Sequence, residues 1–395
     1  MFRDVAPALP ARLSRIGLVA LACSTALLAA CGSGDRKSFF VPDRVVSFGD
    51  ENSAFEADTS STLKDASGQP SSLPGLTYTV KYADIVGPSV CPVTGTPQFC
   101  GTSSGTFTTA ATTDYYTLFS STASAVTKIE KDSGPTLQRT TTTVYQCATP
   151  TIWVQTVARA YARGYNSQCP SESYGGAISY AVAGAKSDDI VAQMSAHRGE
   201  LNSKTVVTVM AGQNDILELY AAVRASSTSE PAANGELNAR ADRMAAAIKD
   251  VIGTGAKVVL ALTPDLGESP KAYNGTDDAA LLARLTRVFN DRLYVRGLGN
   301  VSGRSLAGVS TDSYTNTSTR SSSYVYRTSL CNTGAVLRPD EQSVGGADPL
   351  KYCTTQHLVS GGSLSTYMWA DSTRFAPLGH SLIGVQAYTR AHDQF

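Results

Sequence analysis

The sequence lacks several features that would point to common classes of function. Its 33 lysine and arginine residues balance 33 aspartate and glutamate residues, so the chain has no electrostatic footprint for nucleic acid. It contains no C-x-x-C pair, and its four histidines are scattered, which disfavours a zinc site. No repeat of fixed period is evident, which disfavours a solenoid or a propeller. We therefore expect no metal, no other cofactor and no nucleic-acid partner.

A long apolar run is also missing at the N-terminus. The run from Ile16 to Leu28 follows three arginines and is too short to remain in a bilayer as a spanning helix. It is typical of a secretory signal, which we assign to residues 1–30. The run ends in "LLAAC", the pattern of a bacterial lipoprotein signal, and this makes Cys31 the predicted site of lipidation.

The residues after Cys31 favour the lipoprotein interpretation over an ordinary signal peptide with a stray cysteine. "GSGD" begins a flexible polar tether, residues 31–43, and no A-x-A cleavage site fits better. Position 32 is glycine rather than aspartate, so we expect sorting to the bacterial outer membrane. The sequence thus predicts an exported protein held at a membrane by an N-terminal lipid, on the periplasmic side or at the cell surface.

Six cysteines remain after the signal and the lipidation site. An even number in an oxidising compartment indicates disulfide bonds. The spacing does not fix their connectivity, but local closure favours three pairs: Cys91–Cys100, Cys147–Cys169 and Cys331–Cys353.

Strand and helix patterns alternate from residue 150 onward. "KTVVTVM" and "AKVVLAL" are short β-branched runs, as expected of strands buried on both faces, and amphipathic helical segments separate them. Ser187 is a plausible cap for one of these helices. This order predicts an α/β fold with a parallel sheet between two layers of helices, of the flavodoxin-like kind. We assign residues 44–395 to a single domain, with loop and hairpin insertions at 56–148 and 301–366.

Four short motifs carry the candidate site, and three of them follow predicted strands. In an open parallel sheet a site forms at the carboxyl ends of the strands. The motifs are "VVSFGDENS" with Asp50, "SYAVAGAKSDD" with Gly184, "VVTVMAGQNDI" with Gly212, Asn214 and Asp215, and "YMWADSTRFAPLGHSLIG" with Asp371.

This ordered set resembles the SGNH/GDSL hydrolase family, particularly its secreted bacterial esterases and phospholipase-like lipoproteins. The resemblance covers most of the mature chain, with 56–148 the poorest match. It implies that Gly184 and Asn214 donate to an oxyanion, while Asp50, Gly212 and Asp215 have structural roles. It also implies a serine nucleophile in the first motif and a histidine base three residues after Asp371.

Both of those catalytic positions are substituted in this chain. Glu51 occupies the nucleophile position, and Arg374 in "DSTR" occupies the base position. A guanidinium has no lone pair with which to accept a proton, so Arg374 cannot act as a general base. A carboxylate at Glu51 could attack an acyl carbon, but the resulting anhydride would still need a base for its breakdown. The sequence therefore predicts no useful ester turnover.

The two substitutions together suggest an ion-paired network. Serine and histidine touch in the family site, so we expect Glu51, Arg374 and Asp371 to form a charged plug in the cleft. In another interpretation, Asp50 and Glu51 are two loop acids favoured by a helix dipole. Ser53 is a poor candidate for a displaced nucleophile because it should lie on a different face.

The histidines offer few replacements for the missing base. His197 is expected at the surface, His380 matches a residue at the start of the final helix, and only His357 could move into the cleft.

Two functions follow from these residues. The first is a catalytically degenerate, SGNH/GDSL-hydrolase-like surface lipoprotein that binds a lipid, an acyl ester, a glycan or a protein. The alternative is an active carboxylic ester hydrolase, an esterase or lipase acting on acyl or acetyl esters with a rearranged site. The substitutions at positions 51 and 374 favour the first.

Overall fold

Five parallel strands form the central sheet of the computed structural model. Their order across the sheet is β11-β10-β9-β1-β8, and every neighbouring pair is parallel. The strands are β1 (Arg44–Gly49), β8 (Ala177–Ser179), β9 (Thr205–Met210), β10 (Lys257–Ala261) and β11 (Leu306–Val309). β-Branched residues dominate β9, whose six residues are all buried, as is typical of a strand covered on both faces.

The structure describes only part of the chain. The described residues are 40–58, 72–92, 115–120, 125–131, 137–315, 321–336 and 348–395, and residues 83–92, 115–120, 125–131, 137–146, 312 and 313 are described by backbone only. The predicted signal, most of the tether, the lipidation site Cys31 and the predicted pair Cys91–Cys100 lie outside what is described. Val41–Phe395 form one compact unit.

Seven α-helices are found among the described residues. Two of them begin at side-chain caps: the Ser229 hydroxyl accepts a hydrogen bond from Ala232 N, and the Asp278 carboxylate accepts one from Leu281 N. The helices are α1 (Trp153–Ala160), α2 (Ser187–Ala196), α3 (Gln213–Arg224), α4 (Glu230–Gly253), α5 (Ala279–Asn290), α6 (Asp312–Thr315) and α7 (Pro377–Gln394), and a π-helix (Asp291–Gly297) continues α5.

The two faces of the sheet are covered by different helices. Val46, Val207 and Val258 lie in one apolar core with residues of α2 to α5. Val45 and Val206, one position away in their strands, are fully buried on the opposite face, where α7 packs against β10 and β11 and α1 packs against α7. A parallel sheet between two helical layers confirms the predicted α/β fold class.

Further strands lie outside the central sheet. β2 (Glu56–Asp58) pairs with β3 (Leu73–Leu76) in antiparallel fashion, and β12 (Val325–Ser329) pairs with β13 (Tyr367–Trp369) in parallel. A separate antiparallel sheet has the order β4-β7-β6-β5. Its strands are β4 (Tyr82–Pro92), β5 (Tyr115–Ser120), β6 (Ala125–Lys131) and β7 (Leu137–Gln146).

Two disulfide bonds confirm two of the predicted pairs. Cys147–Cys169 joins the end of β7 to the loop after α1, and Cys331–Cys353 joins the end of β12 to the segment before β13. Each closes a loop and so restricts the unfolded chain. Across the described ranges, no helix has the length and apolar character needed to cross a membrane.

Candidate functional site

The site is built around the turn that follows β1. Gly49 ends the strand, and its carbonyl accepts a hydrogen bond from Val182 N, which brings the segment after β8 alongside. Ser53 N donates to Asp50 O at 3.0 Å and closes the turn that carries Glu51. The first motif therefore lies at the carboxyl edge of the sheet, as predicted from the strand order.

The Glu51 carboxylate is held by three neutral donors. Gly184 N and Asn214 Nδ2 donate to Oε2 at 2.9 and 3.0 Å, and Gln213 Nε2 donates to Oε1 at 2.9 Å. The Glu51 residue is only 7% exposed. The structure thus brings the predicted donors Gly184 and Asn214 together, and their acceptor is a carboxylate of the same chain. We call Glu51 and these three donors the Glu51 site.

Sequence reasoning missed Gln213. The residue occupies the variable position of the "GQND" motif, where no role was expected. Its position could have revealed a role, because Gln213 follows the end of a strand and directly precedes the predicted donor Asn214. Its amide Oε1 accepts a hydrogen bond from Asn52 Nδ2 at 3.2 Å, so Gln213 links the turn after β1 to the start of α3.

Two glycines position the donors. Gly212 precedes α3 with a φ of 110°, and a Cβ there would lie 2.3 Å from the Phe289 ring, so only glycine fits. Gly184 has a φ of 77°, another conformation that favours glycine, and its backbone N–H is the one that meets Glu51. Asn214 Nδ2 also donates to Ala185 O at 3.1 Å and ties the two loops together.

Asp215 supports the same arrangement by joining α3 to α2. Its Oδ2 accepts hydrogen bonds from the Ser187 N and Oγ atoms, both at 2.9 Å, and its Oδ1 accepts one from Arg240 at 3.1 Å. Burial raises the pKa of Asp215, and the bonds from Ser187 and Arg240 oppose this shift. The predicted cap residue Ser187 is therefore the first residue of α2, and its hydroxyl joins α2 to α3 instead of capping.

Asp50 is fully buried beneath Glu51. Its Oδ1 accepts hydrogen bonds from the backbone and the side chain of Asn52, whereas its Oδ2 has no partner among the described residues. Burial, and next the charge of Glu51, raise the pKa of Asp50 well above its ordinary value. Asp50 therefore braces the turn after β1 through Asn52.

Arg374 lies in a separate charged cluster. Its Nε donates to Asp371 Oδ2 at 2.8 Å and its Nη2 donates to Asp348 Oδ1 at 2.9 Å. The guanidinium also lies 5.3 Å from the Tyr78 ring centroid. Burial opposes the charge, but the two carboxylates raise the pKa of Arg374 above its ordinary value. We call Arg374, Asp371 and Asp348 the Arg374 cluster.

The predicted contact between Glu51 and Arg374 is wrong. No hydrogen bond or ion pair joins these two described residues, although Arg374 does pair with Asp371 as expected. Each charge has nearer partners: Glu51 has three N–H donors, and Arg374 has a second carboxylate in Asp348. Sequence reasoning missed Asp348 because it lies 26 positions before Arg374, in a loop-rich segment with no motif.

The candidate replacements for the catalytic pair make other contacts. Ser53 Oγ accepts a hydrogen bond from Trp153 Nε1 at 3.0 Å. His380 is fully buried near Trp153 N, and burial lowers its pKa to about 3. His357 accepts a hydrogen bond from Thr354 N, and burial, followed by the charge of Lys81, lowers its pKa. The fourth residue, His197, stacks on Tyr180 with ring centroids 3.3 Å apart.

The model of the GDSL-like lipase/acylhydrolase family matches residues 112–295, a span that contains Gly184 and Asn214 but neither Glu51 nor Arg374. The catalytic assignments at positions 51, 371 and 374 therefore stay predictions. No curated protein matches the chain.

Three solved structures are similar at low identity. The lipase Lip_vut3 from a goat rumen metagenome is 13% identical, covers 51% of this chain and 84% of its own, and has a TM-score of 0.33. A lipolytic protein of the G-D-S-L family from Veillonella parvula is 13% identical, with 59% and 92% covered and a TM-score of 0.30. The acetyl xylan esterase AlAXEase is 12% identical, with 56% and 82% covered and a TM-score of 0.30.

Proposed function

We propose that this chain contains a domain of the SGNH/GDSL hydrolase family, whose model matches residues 112–295, and that the domain binds a ligand or partner without hydrolysing esters. The observation that carries the proposal is the occupant of the Glu51 site. Gly184 N and Asn214 Nδ2, the groups that would stabilise an oxyanion, donate to the Glu51 carboxylate.

Occupied donors cannot serve acyl transfer. An oxyanion hole works because its donors point at the position where negative charge develops in the transition state. In this chain the Glu51 side chain already accepts hydrogen bonds from these donors, so a substrate carbonyl would have to displace it. Displacement would leave the Glu51 charge without its three donors, and an unpaired buried charge is costly.

The proton-transfer partner is also missing. The guanidinium of Arg374 holds no lone pair, and its hydrogen bonds to Asp371 and Asp348 keep it charged. Asp371, which would orient a base, is committed to this ion pair. In serine proteases the loss of nucleophile or base lowers kcat roughly a millionfold, and losing both costs little more.

The proposed ligand classes come from the chain's predicted export and from its family. An outer-membrane lipoprotein meets lipids, acyl esters, glycans and other envelope proteins, and each of these could bind beside the old cleft or on the inserted strands. The membrane contact itself is proposed to be the lipid on Cys31. An active carboxylic ester hydrolase is the alternative outcome of the test below.

The test is hydrolysis of short-chain nitrophenyl esters by the purified protein and by Glu51→Ala. We expect both to stay at the uncatalysed rate. Turnover by the wild-type protein that is lost in Glu51→Ala would establish the alternative and overturn the proposal.

A double variant serves as the matched control. Glu51→Ser with Arg374→His introduces the alcohol and the imidazole at the two substituted positions. Hydrolysis by this variant alone would support the view that only the catalytic pair is missing. Thermal stabilisation by lipids and glycans would then identify the ligand class.

A further inference from the structure

A cavity of about 420 Å³ that shares no lining residue with the Glu51 site lies at the carboxyl ends of β10 and β11. Leu262 and Ser310 follow these two strands and line its floor, and α5, the π-helix and α7 form its walls. Its volume falls within the roughly 300–1,000 Å³ range of small-molecule pockets. Its position at the carboxyl edge of a parallel sheet is one where ligands bind. We call it the β10–β11 cavity.

The π-helix shapes one wall of the cavity. Asp291–Gly297 continue α5 in this rare conformation, which is frequent at functional sites. It places Asp291 and Tyr294 on the lining. Gly308 of β11 makes room for the ring, because a Cβ there would lie 2.3 Å from Tyr294 Oη. The wall therefore depends on a local helix distortion and a matching glycine.

Two arginines at the cavity have no partner among the residues that the structure describes. Arg287 on α5 and Arg390 on α7 both line it, both are exposed, and neither forms a hydrogen bond or ion pair in the part of the chain that the structure describes. Most other arginines in the described helices are paired with carboxylates, as Arg284 is with Glu230. Two unpaired guanidinium groups that line one cavity from different helices suit a carboxylate, which arginine binds in a bidentate manner.

Two residues of the lining carry buried amide oxygens. Asn290 Oδ1 and Gln394 Oε1 accept no hydrogen bond from a described residue and are shielded from water, so a ligand hydroxyl reaches them when the side chain turns toward the cavity. A buried acceptor without a partner is unfavourable until a donor reaches it, and hydroxyl groups are donors of the right kind. The Nδ2 atom of Asn290 donates to Thr263 O at 2.8 Å.

The charges on the lining set the charge of the ligand. Asp265 and Asp291 also line the cavity and balance Arg287 and Arg390, so a multiply charged anion is disfavoured. A single carboxylate placed between the arginines, on a body with several hydroxyl groups, satisfies both the cations and the amide oxygens.

We propose that the β10–β11 cavity binds a monosaccharide-sized hydroxy acid, such as a uronic acid, through Arg287, Arg390, Asn290 and Gln394. This site is independent of the Glu51 site and of whether the domain hydrolyses esters.

The test is calorimetric titration of the purified protein with three probes. Glucuronate carries the carboxylate and the hydroxyl groups, glucose carries only the hydroxyl groups, and acetate carries only a carboxylate. We expect saturable binding of glucuronate, with at least about tenfold weaker binding of glucose and of acetate. Equal binding of glucose and glucuronate, or no heat at millimolar glucuronate, would overturn the proposal.

Variants locate the binding. The double variant Arg287→Gln, Arg390→Gln should bind glucuronate at least about tenfold more weakly, since both charge-assisted contacts are removed. Arg296→Gln is the matched control, because Arg296 is an exposed arginine of the π-helix that does not line the cavity. Unchanged binding in the double variant would contradict the assignment.

A last variant separates this site from the Glu51 site. Glu51→Ala should bind glucuronate as the wild-type protein does, whatever its behaviour toward esters. Loss of glucuronate binding in Glu51→Ala would move the ligand to the Glu51 site and overturn the inference, with no bearing on ester hydrolysis.

Discussion

The Glu51 site and the Arg374 cluster neutralise a buried charge in different ways. At Glu51 a carboxylate is surrounded by neutral N–H groups from one backbone and two side-chain amides. At Arg374 a guanidinium is surrounded by the two carboxylates Asp371 and Asp348. The first site stabilises charge with dipoles, and the second stabilises it with opposite charges.

The difference explains why Glu51 and Arg374 need not contact each other. Gly184 N, Gln213 Nε2 and Asn214 Nδ2 are donors that suit a carboxylate, so Glu51 needs no cation. Arg374 has no such set of acceptors and requires carboxylates, of which Asp371 is one. Glu51 and Arg374 are therefore two locally compensated charges rather than one ion pair.

The largest expected effect is the removal of the cation from the Arg374 cluster. Arg374→Met should lower the free energy of unfolding by about 3–5 kcal/mol, because it leaves Asp348 and Asp371 unpaired in a mostly buried place. Chemical denaturation measures the change. Burial raises the pKa of Asp348, but the hydrogen bonds from Arg374 outweigh burial and lower that pKa below its ordinary value. Asp348 is therefore ionised at neutral pH, and the loss of stability in the variant should be larger there than in acid.

An exposed ion pair provides the control for this variant. Arg243 pairs with Asp188, with side chains 46% and 60% exposed, and Arg243→Met should cost less than about 1 kcal/mol. A similar loss in both variants would show that the Arg374 cluster is no more than a surface ion pair.

The next largest expected effect on stability is the removal of the hydrogen-bond acceptor at the Glu51 site. Glu51→Ala should lower the free energy of unfolding by about 1–3 kcal/mol, since Gly184 N, Gln213 Nε2 and Asn214 Nδ2 lose their acceptor. Acetate should then restore part of the stability by occupying the same donors, and a thermal melt with and without acetate measures this.

The wild-type protein is the control for the acetate experiment. Its donors are already occupied, so acetate should change its melting temperature less than that of Glu51→Ala. Equal stabilisation of both proteins would mean that the three donors do not form a site for a carboxylate, and the comparison with the Arg374 cluster would fail.

The last expected effect is a shallow dependence of stability on pH, and it comes from a lysine beside the Arg374 cluster. Lys81 is 1% exposed, and its Nζ donates to the carbonyls of Thr79 and Leu350. Burial lowers the pKa of Lys81 to about 7, the charge of Asp348 opposes this shift, and the charges of Arg374 and Lys351 add to it. A region that already holds a compensated guanidinium does not readily hold another cation.

The sign of the pH dependence follows from this lowered pKa. Above about pH 7 the unfolded chain binds a proton at Lys81 that the native chain does not, so stability should rise with pH, by at most about 1.4 kcal/mol per pH unit. Below that pH both states are protonated and the contribution is flat. Chemical denaturation between about pH 7 and 9 should show this slope in the wild-type protein and its loss in Lys81→Met. Identical slopes would place the Lys81 pKa at its ordinary value.

Most of the fold was predictable from local pattern. Runs such as "KTVVTVM" bury both faces of a strand, and Gly212 after β9 marks the turn to the next helix. The disulfides Cys147–Cys169 and Cys331–Cys353 followed from short loop closure. Ser187 shows the limit of local reasoning, because the nearby Asp215 takes the hydroxyl that a helix cap would use.

The sequence by itself determined the α/β class and the approach of Gly184 and Asn214, since strand ends of a parallel sheet meet at one edge whatever the loops do, and it favoured two of the disulfides through short loop closure. Only the tertiary structure decided that Glu51 points at those donors, with Gln213, and that Asp348 completes the Arg374 cluster. A side chain's partner depends on distances of a few ångströms set by loop paths and burial, and these are not encoded in spacing along the chain.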